Sequence, residues 1–182
     1  SQEMEDRALY LIRSIIQYTS VPLSIKLNPF FTSLPHFLRQ AEDAGARGAV
    51  LFNRFFQPEL DPSGPSWKPE IGISSPAELR LRLNWMATMY GRSQLDFALC
   101  GGIHSHLDAV RAIMAGADAV QVVSRILREG PESLYDLLAD FRLWMEANLF
   151  EDIGQLRGIA SFLNVDHPEA HARASYFQLL KN

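Results

Sequence analysis

The chain has 182 residues, of which 47% are hydrophobic and 21% charged, a composition typical of one soluble globular domain. The net charge of −4 and the scattered Lys and Arg residues argue against a nucleic-acid-binding surface, which needs a basic face. Cys100 is the only cysteine, which excludes an internal disulfide and favours a reducing compartment. No apolar run reaches the roughly 18 residues of a membrane span, and the first residues do not resemble a signal peptide, so we expect a cytoplasmic protein.

Helical and extended segments alternate along the first half of the chain. Apolar spacing predicts a helix over residues 2–18, a strand over 21–27, a helix over 35–45 and a strand over 48–52. A Pro-rich segment without periodicity follows at 57–74. Its length is typical of functional or mobile loops.

The second half continues this alternation with clearer helix starts. Ser75 and Glu78 form a capping-box pattern around Pro76, which predicts a helix that begins there. A strand is predicted over 95–99, and Ser105 with Asp108 predicts a capped helix. The order is completed by a strand over 119–123, a long helix from 130 through 144 and a last helix over 168–180.

Strands that alternate with helices indicate a parallel sheet with right-handed crossover connections. A weak internal echo accompanies this order. Small residues at 44–46 lead through one strand to Asn53-Arg54, and small residues at 115–117 lead through another to Ser124-Arg125. The echo fits a repeated strand–helix unit, and it equally fits the ordinary need for small residues at helix-to-strand turns.

Two glycines follow the strand predicted over 95–99, and a hydroxyl closes the next strand. Gly101 and Gly102 allow the backbone to approach a ligand closely, and the following helix start offers unpaired N–H groups. Ser124 adds another donor. Because the loops after the seventh and eighth strands of an eight-stranded α/β barrel form its usual phosphate site, these residues predict such a site, with a plain tight turn as the alternative.

Four segments in order and in register carry a family resemblance: 24–29 (SIKLNP), 51–54 (LFNR), 100–103 (CGGI) and 115–124 (AGADAVQVVS). Together they resemble the carboxyl-terminal half of the dihydroorotate dehydrogenase family, the FMN-dependent barrels of pyrimidine synthesis, and within it the bacterial dihydroorotate dehydrogenase-like proteins. The resemblance covers about residues 22–158. It implies an α/β fold: half of a (β/α)8 TIM barrel over residues 1–150, with about four parallel strands and helices outside, and a helical extension over 151–182.

The resemblance also implies roles for individual residues. Lys26 would lie at the N1–C2 oxygen edge of the flavin and stabilise charge on the reduced ring, and Asn53 would hydrogen-bond a planar substrate, so both are implied catalytic residues. A lysine that reaches to water and an ordinary loop asparagine are the alternatives. The positions implied to bind FMN are Lys26, Phe52, Ser75, Cys100, Gly101, Gly102, Val123 and Ser124, with no metal.

Two positions depart from the family pattern. Arg54 follows Asn53 where family members usually carry Ser or Thr, and Ser75 stands where a glycine contacts the phosphate side of the flavin. Another flat oxidisable substrate therefore stays open beside dihydroorotate. The family's catalytic base and its earlier strands would precede this chain, so we expect a fragment that is inactive alone and either forms a homo-oligomer or lacks its amino-terminal half.

Two other functions fit the same pattern. A flavin-free phosphate-binding isomerase or lyase would use Gly101, Gly102 and Ser124 equally well, and a non-catalytic half-barrel would act in assembly. Lys26 and Asn53 together favour the flavin-dependent oxidoreductase. A small planar substrate is the expected partner, with neither nucleic acid nor membrane.

Overall fold

The computed structural model describes residues 2–54, 58–68 and 72–166, and the helix predicted over 168–180 lies outside these ranges. The elements in chain order are α1 (Gln2–Ile16), β1 (Ser24–Leu27), α2 (Leu34–Asp43), β2 (Gly48–Leu51), β3 (Glu59–Asp61), β4 (Ser66–Lys68), a 3-10 turn (Pro76–Glu78), α3 (Leu79–Met89), β5 (Asp96–Cys100), α4 (His106–Ala115), β6 (Ala119–Gln121), α5 (Ser124–Glu129), α6 (Ser133–Ala147) and α7 (Ile153–Leu156). No helix within the described ranges has the length and apolar character needed to cross a membrane.

Four strands form one parallel sheet in the order β1-β2-β5-β6. Ser24 pairs with Gly48, Gly48 with Asp96, and Ala98 with Ala119, so neighbouring strands run in the same direction with no reversal. Helices α2, α3 and α4 lie in the connections between consecutive strands of this sheet. The predicted arrangement of about four parallel strands with helices outside is confirmed, and the fold is a partial α/β barrel.

The sheet is curved, as part of a barrel wall should be. Lys26 on β1 and Gln121 on β6 stand on the two edge strands, yet the Nζ atom of Lys26 donates to Oε1 of Gln121 at 3.1 Å. In a flat sheet these edges would be about 14 Å apart, and both side chains would point straight away from the sheet. The two side chains meet because the strands bend around a concave inner face.

The two faces of the sheet differ in composition. Alternate residues of β2 and β5, among them Leu51, Phe97 and Leu99, point outward and are buried in the core with the helices. The strand register places a different set on the concave side: Ser24, Lys26, Gly48, Val50, Asp96, Ala98, Cys100, Ala119 and Gln121. This concave side combines small and apolar residues with the polar side chains of Ser24, Lys26, Asp96 and Gln121.

The predicted cap of the fourth long helix is confirmed. Ser105 Oγ accepts a hydrogen bond from the Asp108 N–H at 3.3 Å, and Asp108 Oδ2 accepts from the Ser105 N–H at 2.9 Å. Asp108 is 6% exposed, and its carboxylate also accepts from Arg111 and from the His104 N–H. This cap fixes where α4 begins, directly after the loop that leaves β5.

Two local elements differ from the sequence-based expectation. Residues 57–74 include an antiparallel hairpin of β3 and β4, in which the Asp61 carboxylate accepts from the Ser63 N–H and pairs with Lys68 at 3.1 Å. Strand β6 ends at Gln121, and Ser124 begins the helix α5 that we did not predict. Both elements are short, and segments of three to six residues carry too little periodicity to be recognised.

Candidate functional site

The carboxyl ends of the parallel strands open onto one cleft with a volume of about 290 Å³. Its walls come from the ends of the strands, the start of α5 and the segment before α3. The lining residues are Lys26, Phe52, Asn53, Arg54, Gly72, Ile73, Ser74, Arg82, Cys100, Gly101, Ile103, Gln121, Val123, Ser124 and Leu127. Seven of the nine predicted site residues are in this lining, and the other two, Ser75 and Gly102, are not.

The glycine pair is required by close packing against α3. Gly101 and Gly102 have φ angles of 92° and 82°, which favour glycine. A Cβ atom on Gly102 would lie 2.6 Å from the backbone nitrogen of Leu79, and one on Gly101 would lie 2.8 Å from Nη2 of Arg82. The pair therefore lets the β5 end pack against the start of α3, and its close approach to a ligand stays a prediction.

Two buried serines and the glycine pair form a compact cluster of neutral donors. The Ser74 N–H donates to Ser124 Oγ at 2.9 Å, and the two hydroxyl oxygens are 2.7 Å apart. Gly102 lies behind the lining, but its N–H donates to Ser74 Oγ at 3.1 Å. Ser74 is 3% exposed and Ser124 is 7% exposed. These groups form the cluster that we call the serine cradle, comprising Ser74, Ser124, Gly101 and Gly102.

The structure places Ser74, and not Ser75, in this cradle. Ser75 is the N-cap before α3, where its N–H donates to Glu78 Oε1 at 3.0 Å and its side chain completes the capping box. An N-cap side chain is committed to its own helix, and the Ser75–Glu78 pattern was the available signal that Ser75 is not free for a ligand. Sequence reasoning missed Ser74, which its contact with Ser124 brings into the cradle.

Histidines near the cradle take separate partners. Nε2 of His104 lies 3.4 Å from Ser74 Oγ, behind the cleft lining, and Nδ1 of His106 lies 3.5 Å from the Asp140 carboxylate. Within the described ranges there is no group of three or more His, Cys, Asp or Glu side chains that could hold a metal. The donors at this site are hydroxyls, backbone N–H groups, amides and cations.

Amide and ammonium groups also line the cleft. Lys26 Nζ donates to Gln121 Oε1, and the Asn53 N–H donates to the carbonyl of Leu27 at 2.6 Å, which extends the parallel ladder past β2. Asn53 is exposed, and its side chain makes no hydrogen bond to another described residue. Gln121 was missed in the sequence, although it shares the inner face of β6 with Ala119 and so had to point into the cleft.

A carboxylate joins two arginines along one wall. Glu78 Oε2 lies 2.5 Å from Arg54 Nη1 and 3.7 Å from Arg82 Nη2. Arg82 is 3% exposed, and its Nε and Nη1 atoms donate to the carbonyls of Cys100 and Glu78. We call Arg54, Glu78 and Arg82 the arginine–glutamate trio, and sequence reasoning had not assigned Arg82 to the site.

Charge in the cleft is of one sign. The lining includes Lys26, Arg54 and Arg82 and no acidic residue. Burial alone would raise the pKa of Glu78, but hydrogen bonds from the Ser75 N–H and Arg54, with the charges of both arginines, hold that pKa below its usual value. Burial lowers the pKa of Arg82 while the Glu78 charge raises it, and a guanidinium stays protonated under either influence. The cleft is therefore suited to an anionic ligand.

Sequence comparisons identify one family. The profile for dihydroorotate dehydrogenase matches residues 1–144. The catalytic subunit of dihydroorotate dehydrogenase B (NAD(+)) from Methanothermobacter thermautotrophicus is 26% identical over 162 residues, covering 82% of this chain and 51% of that relative. Dihydroorotate dehydrogenase A (fumarate) from Lacticaseibacillus paracasei is 32% identical over 122 residues, covering 64% of this chain and 41% of that relative. The chain spans about half the length of the curated relatives it matches.

A solved structure shares the fold. The crystal structure of DHODH in complex with ferulenol from Eimeria tenella superposes with a TM-score of 0.58 at 21% identity. The match covers 75% of this chain and 37% of that one. Because the identity is low, this likeness is informative about the fold, and it agrees with the curved parallel sheet.

Proposed function

Because this chain belongs to the dihydroorotate dehydrogenase family, we propose that it is part of an FMN-dependent oxidoreductase that converts dihydroorotate to orotate in pyrimidine synthesis. The observation that carries this proposal is the arrangement of the cleft. The neutral donors Ser74 and Ser124 line the same cleft as Lys26, Asn53 and Gln121. A phosphate and a polar planar ring joined by a short chain together offer acceptors for both sets of groups.

The serine cradle fits the phosphate of FMN. Hydroxyls and backbone N–H groups are the donors that phosphate sites at the ends of barrel strands use. Ser74 and Ser124 are buried and their hydroxyls are in contact, and Ser74 Oγ also accepts from the Gly102 N–H. A phosphate would accept from the two hydroxyls, while the Gly102 and Ser74 N–H groups hold the hydroxyl oxygens in place. Val123 would lie beside it as an exposed apolar wall.

The amide and ammonium groups of the lining fit an isoalloxazine ring and a flat substrate. FMN, when bound, supplies two-electron oxidation chemistry. Lys26 would place a positive charge at the ring edge, and its hydrogen bond to Gln121 holds the ammonium in the cleft. Phe52 and Cys100, both buried, would form the wall behind the ring, and the exposed Asn53 amide would donate to and accept from the substrate.

We expect the proton acceptor for the reaction to lie outside the described residues that line this cleft. Among those residues there is no His, Asp or Glu, and the thiol of Cys100 is buried on the sheet. A chain that spans about half of its relatives would share the site with residues outside this sequence. We therefore expect residues 1–182 alone to be unable to oxidise dihydroorotate.

A second candidate is favoured by one observation. The serine cradle contains nothing specific to a flavin, so it would also suit the phosphate monoester of a flavin-free isomerase or lyase. The flavin-dependent function is preferred because the Lys26–Gln121 pair and Asn53 would have no role in binding the phosphate.

The decisive experiment uses the protein expressed from its complete coding sequence. A yellow protein that releases FMN on denaturation and bleaches when dihydroorotate is added anaerobically would support the proposal. Arg39→Gln, an exposed change on α2, serves as the control variant and should behave like the wild type. A colourless protein that gains thermal stability with sugar phosphates but not with FMN would support the isomerase or lyase and refute the oxidoreductase.

A further inference from the structure

Arg54 is held in the cleft in a way that its packing alone does not explain. Its Nη1 atom is paired with Glu78, while its Nε N–H is buried and has no hydrogen-bond partner among the described residues. Nη2 lies on the side of Gly72, where a Cβ atom would be 3.6 Å away. The side chain is 30% exposed and follows Asn53 directly in the lining. One nitrogen of the guanidinium is therefore fixed by Glu78, Nε is enclosed, and Nη2 is the nitrogen left to meet a ligand.

Glu78 is fully used in fixing this geometry. Its Oε1 atom accepts from the Ser75 N–H, and its Oε2 atom is shared by Arg54 and Arg82. One carboxylate thus faces two guanidinium groups, which leaves the trio with a net positive charge. A guanidinium held on one side by a carboxylate keeps its remaining N–H groups in fixed directions, so Nη2 can donate a charge-assisted hydrogen bond to an oxyanion.

The serine cradle does not account for this charge. Its donors are neutral and come from Ser74, Ser124 and the Gly102 backbone. Arg54 is next to Asn53, the residue proposed to contact the substrate, and it contacts no member of the cradle by a hydrogen bond between described residues. The trio's net positive charge beside Asn53 therefore fits a second anionic group, separate from the cofactor phosphate.

We propose that Arg54 is a specificity-determining residue. Its guanidinium binds a carboxylate of the substrate, next to the edge of the substrate ring that Asn53 contacts. Glu78 is the positioning residue that orients Arg54. The inference rests on the proposed function, since it concerns the substrate of that same cleft. A ring without a carboxylate would leave the guanidinium without its partner and would bind more weakly.

The test compares orotate with uracil, two rings that differ by one carboxylate. Binding of each to the FMN-loaded protein, expressed from its complete coding sequence, is measured by calorimetry. Arg54→Gln should weaken orotate binding roughly 10- to 100-fold, the loss of one charge-assisted contact, and should leave uracil binding and FMN content unchanged. Glu78→Gln, which keeps Arg54 but removes its anchor, should reduce the preference for orotate to a smaller extent.

Controls separate the possible sources of a loss. Arg39→Gln removes an exposed arginine of the same charge and should not change either affinity. An equal loss for orotate and uracil would assign Arg54 a structural role and overturn the proposal. If Arg54→Gln loses FMN as well as orotate binding, the charge of Arg54 serves the cofactor phosphate, and the proposal is also overturned. Binding of neither ring by the wild type overturns it as well.

Failure of the proposed function has a different signature. A protein that prefers orotate through Arg54 but fails to bleach with dihydroorotate would retain the carboxylate site and contradict the oxidoreductase assignment. A protein that bleaches with dihydroorotate but shows no effect of Arg54→Gln on the orotate preference would retain the oxidoreductase assignment and overturn the role of Arg54.

Discussion

Replacing Gly102 by alanine tests whether the turn after β5 is held by packing against α3. The φ angle of 82° alone costs a residue with a Cβ atom about 1–2 kcal/mol. The new Cβ atom would also lie 2.6 Å from the backbone nitrogen and 2.9 Å from the Cα atom of Leu79. Since backbone atoms at a helix start cannot turn aside as a side chain can, overpacking adds about 1–3 kcal/mol. We expect the free energy of unfolding to fall by about 2–5 kcal/mol, the sum of these two costs.

Urea unfolding of the chain, followed by circular dichroism, measures this change. Gly64 provides the matched control, because a Cβ atom there would have no heavy atom within 4 Å and its φ lies outside the strained region. Gly64→Ala should leave the free energy of unfolding within about 0.5 kcal/mol of the wild type. If Gly102→Ala is as stable as Gly64→Ala, the contact between the glycine pair and α3 does not determine this turn, and the reasoning is refuted.

Four further predictions concern the site, the helices and the assembly. Lys26→Ala, in the protein expressed from its complete coding sequence, should slow flavin reduction roughly 100-fold while FMN content changes little. Stopped-flow bleaching measures the rate and absorbance ratios measure the FMN content; equal losses of rate and content would make Lys26 a packing residue. Ser105→Ala should lower the free energy of unfolding by about 1 kcal/mol through loss of the α4 cap, whereas Ser14→Ala on exposed α1 should not. Because the pKa of Glu78 in the folded chain is below its usual value, its contribution to stability is present above the usual pKa of a glutamate and is lost as pH falls through the lower folded-state pKa. Urea titrations at several acidic pH values should therefore show less pH dependence in Glu78→Gln. Residues 1–182 should form a dimer with the edge strands β1 and β6 near the contact, because unpaired strand edges recruit other chains. Light scattering at low micromolar concentration measures this, and a folded monomer would contradict it.

Local patterns in the sequence determined the kind and order of the main elements. The period of apolar residues distinguishes helices of ten or more residues from buried strands, and the Ser105–Asp108 cap acts between residues three apart. Alternation of these elements was enough to predict a parallel sheet, and the glycine pair at the end of β5 marked the edge where the cleft lies. Such features depend on neighbours along the chain, so a single sequence contains them.

The composition of the site was decided by the tertiary structure. Ser74 meets Ser124 from 50 residues away, and Lys26 meets Gln121 from 95 residues away across the curved sheet. Arg82 looks like any helical arginine in the sequence, and it belongs to the cleft because α3 packs its side chain under the carbonyl of Cys100. Contacts of this kind depend on how the sheet curves and how helices lie on it, which no local pattern encodes. For the same reason, the sequence identified Lys26, Ser124 and the edge of the sheet that bears the candidate site, whereas only the fold brought Ser74 and Arg82 into its lining.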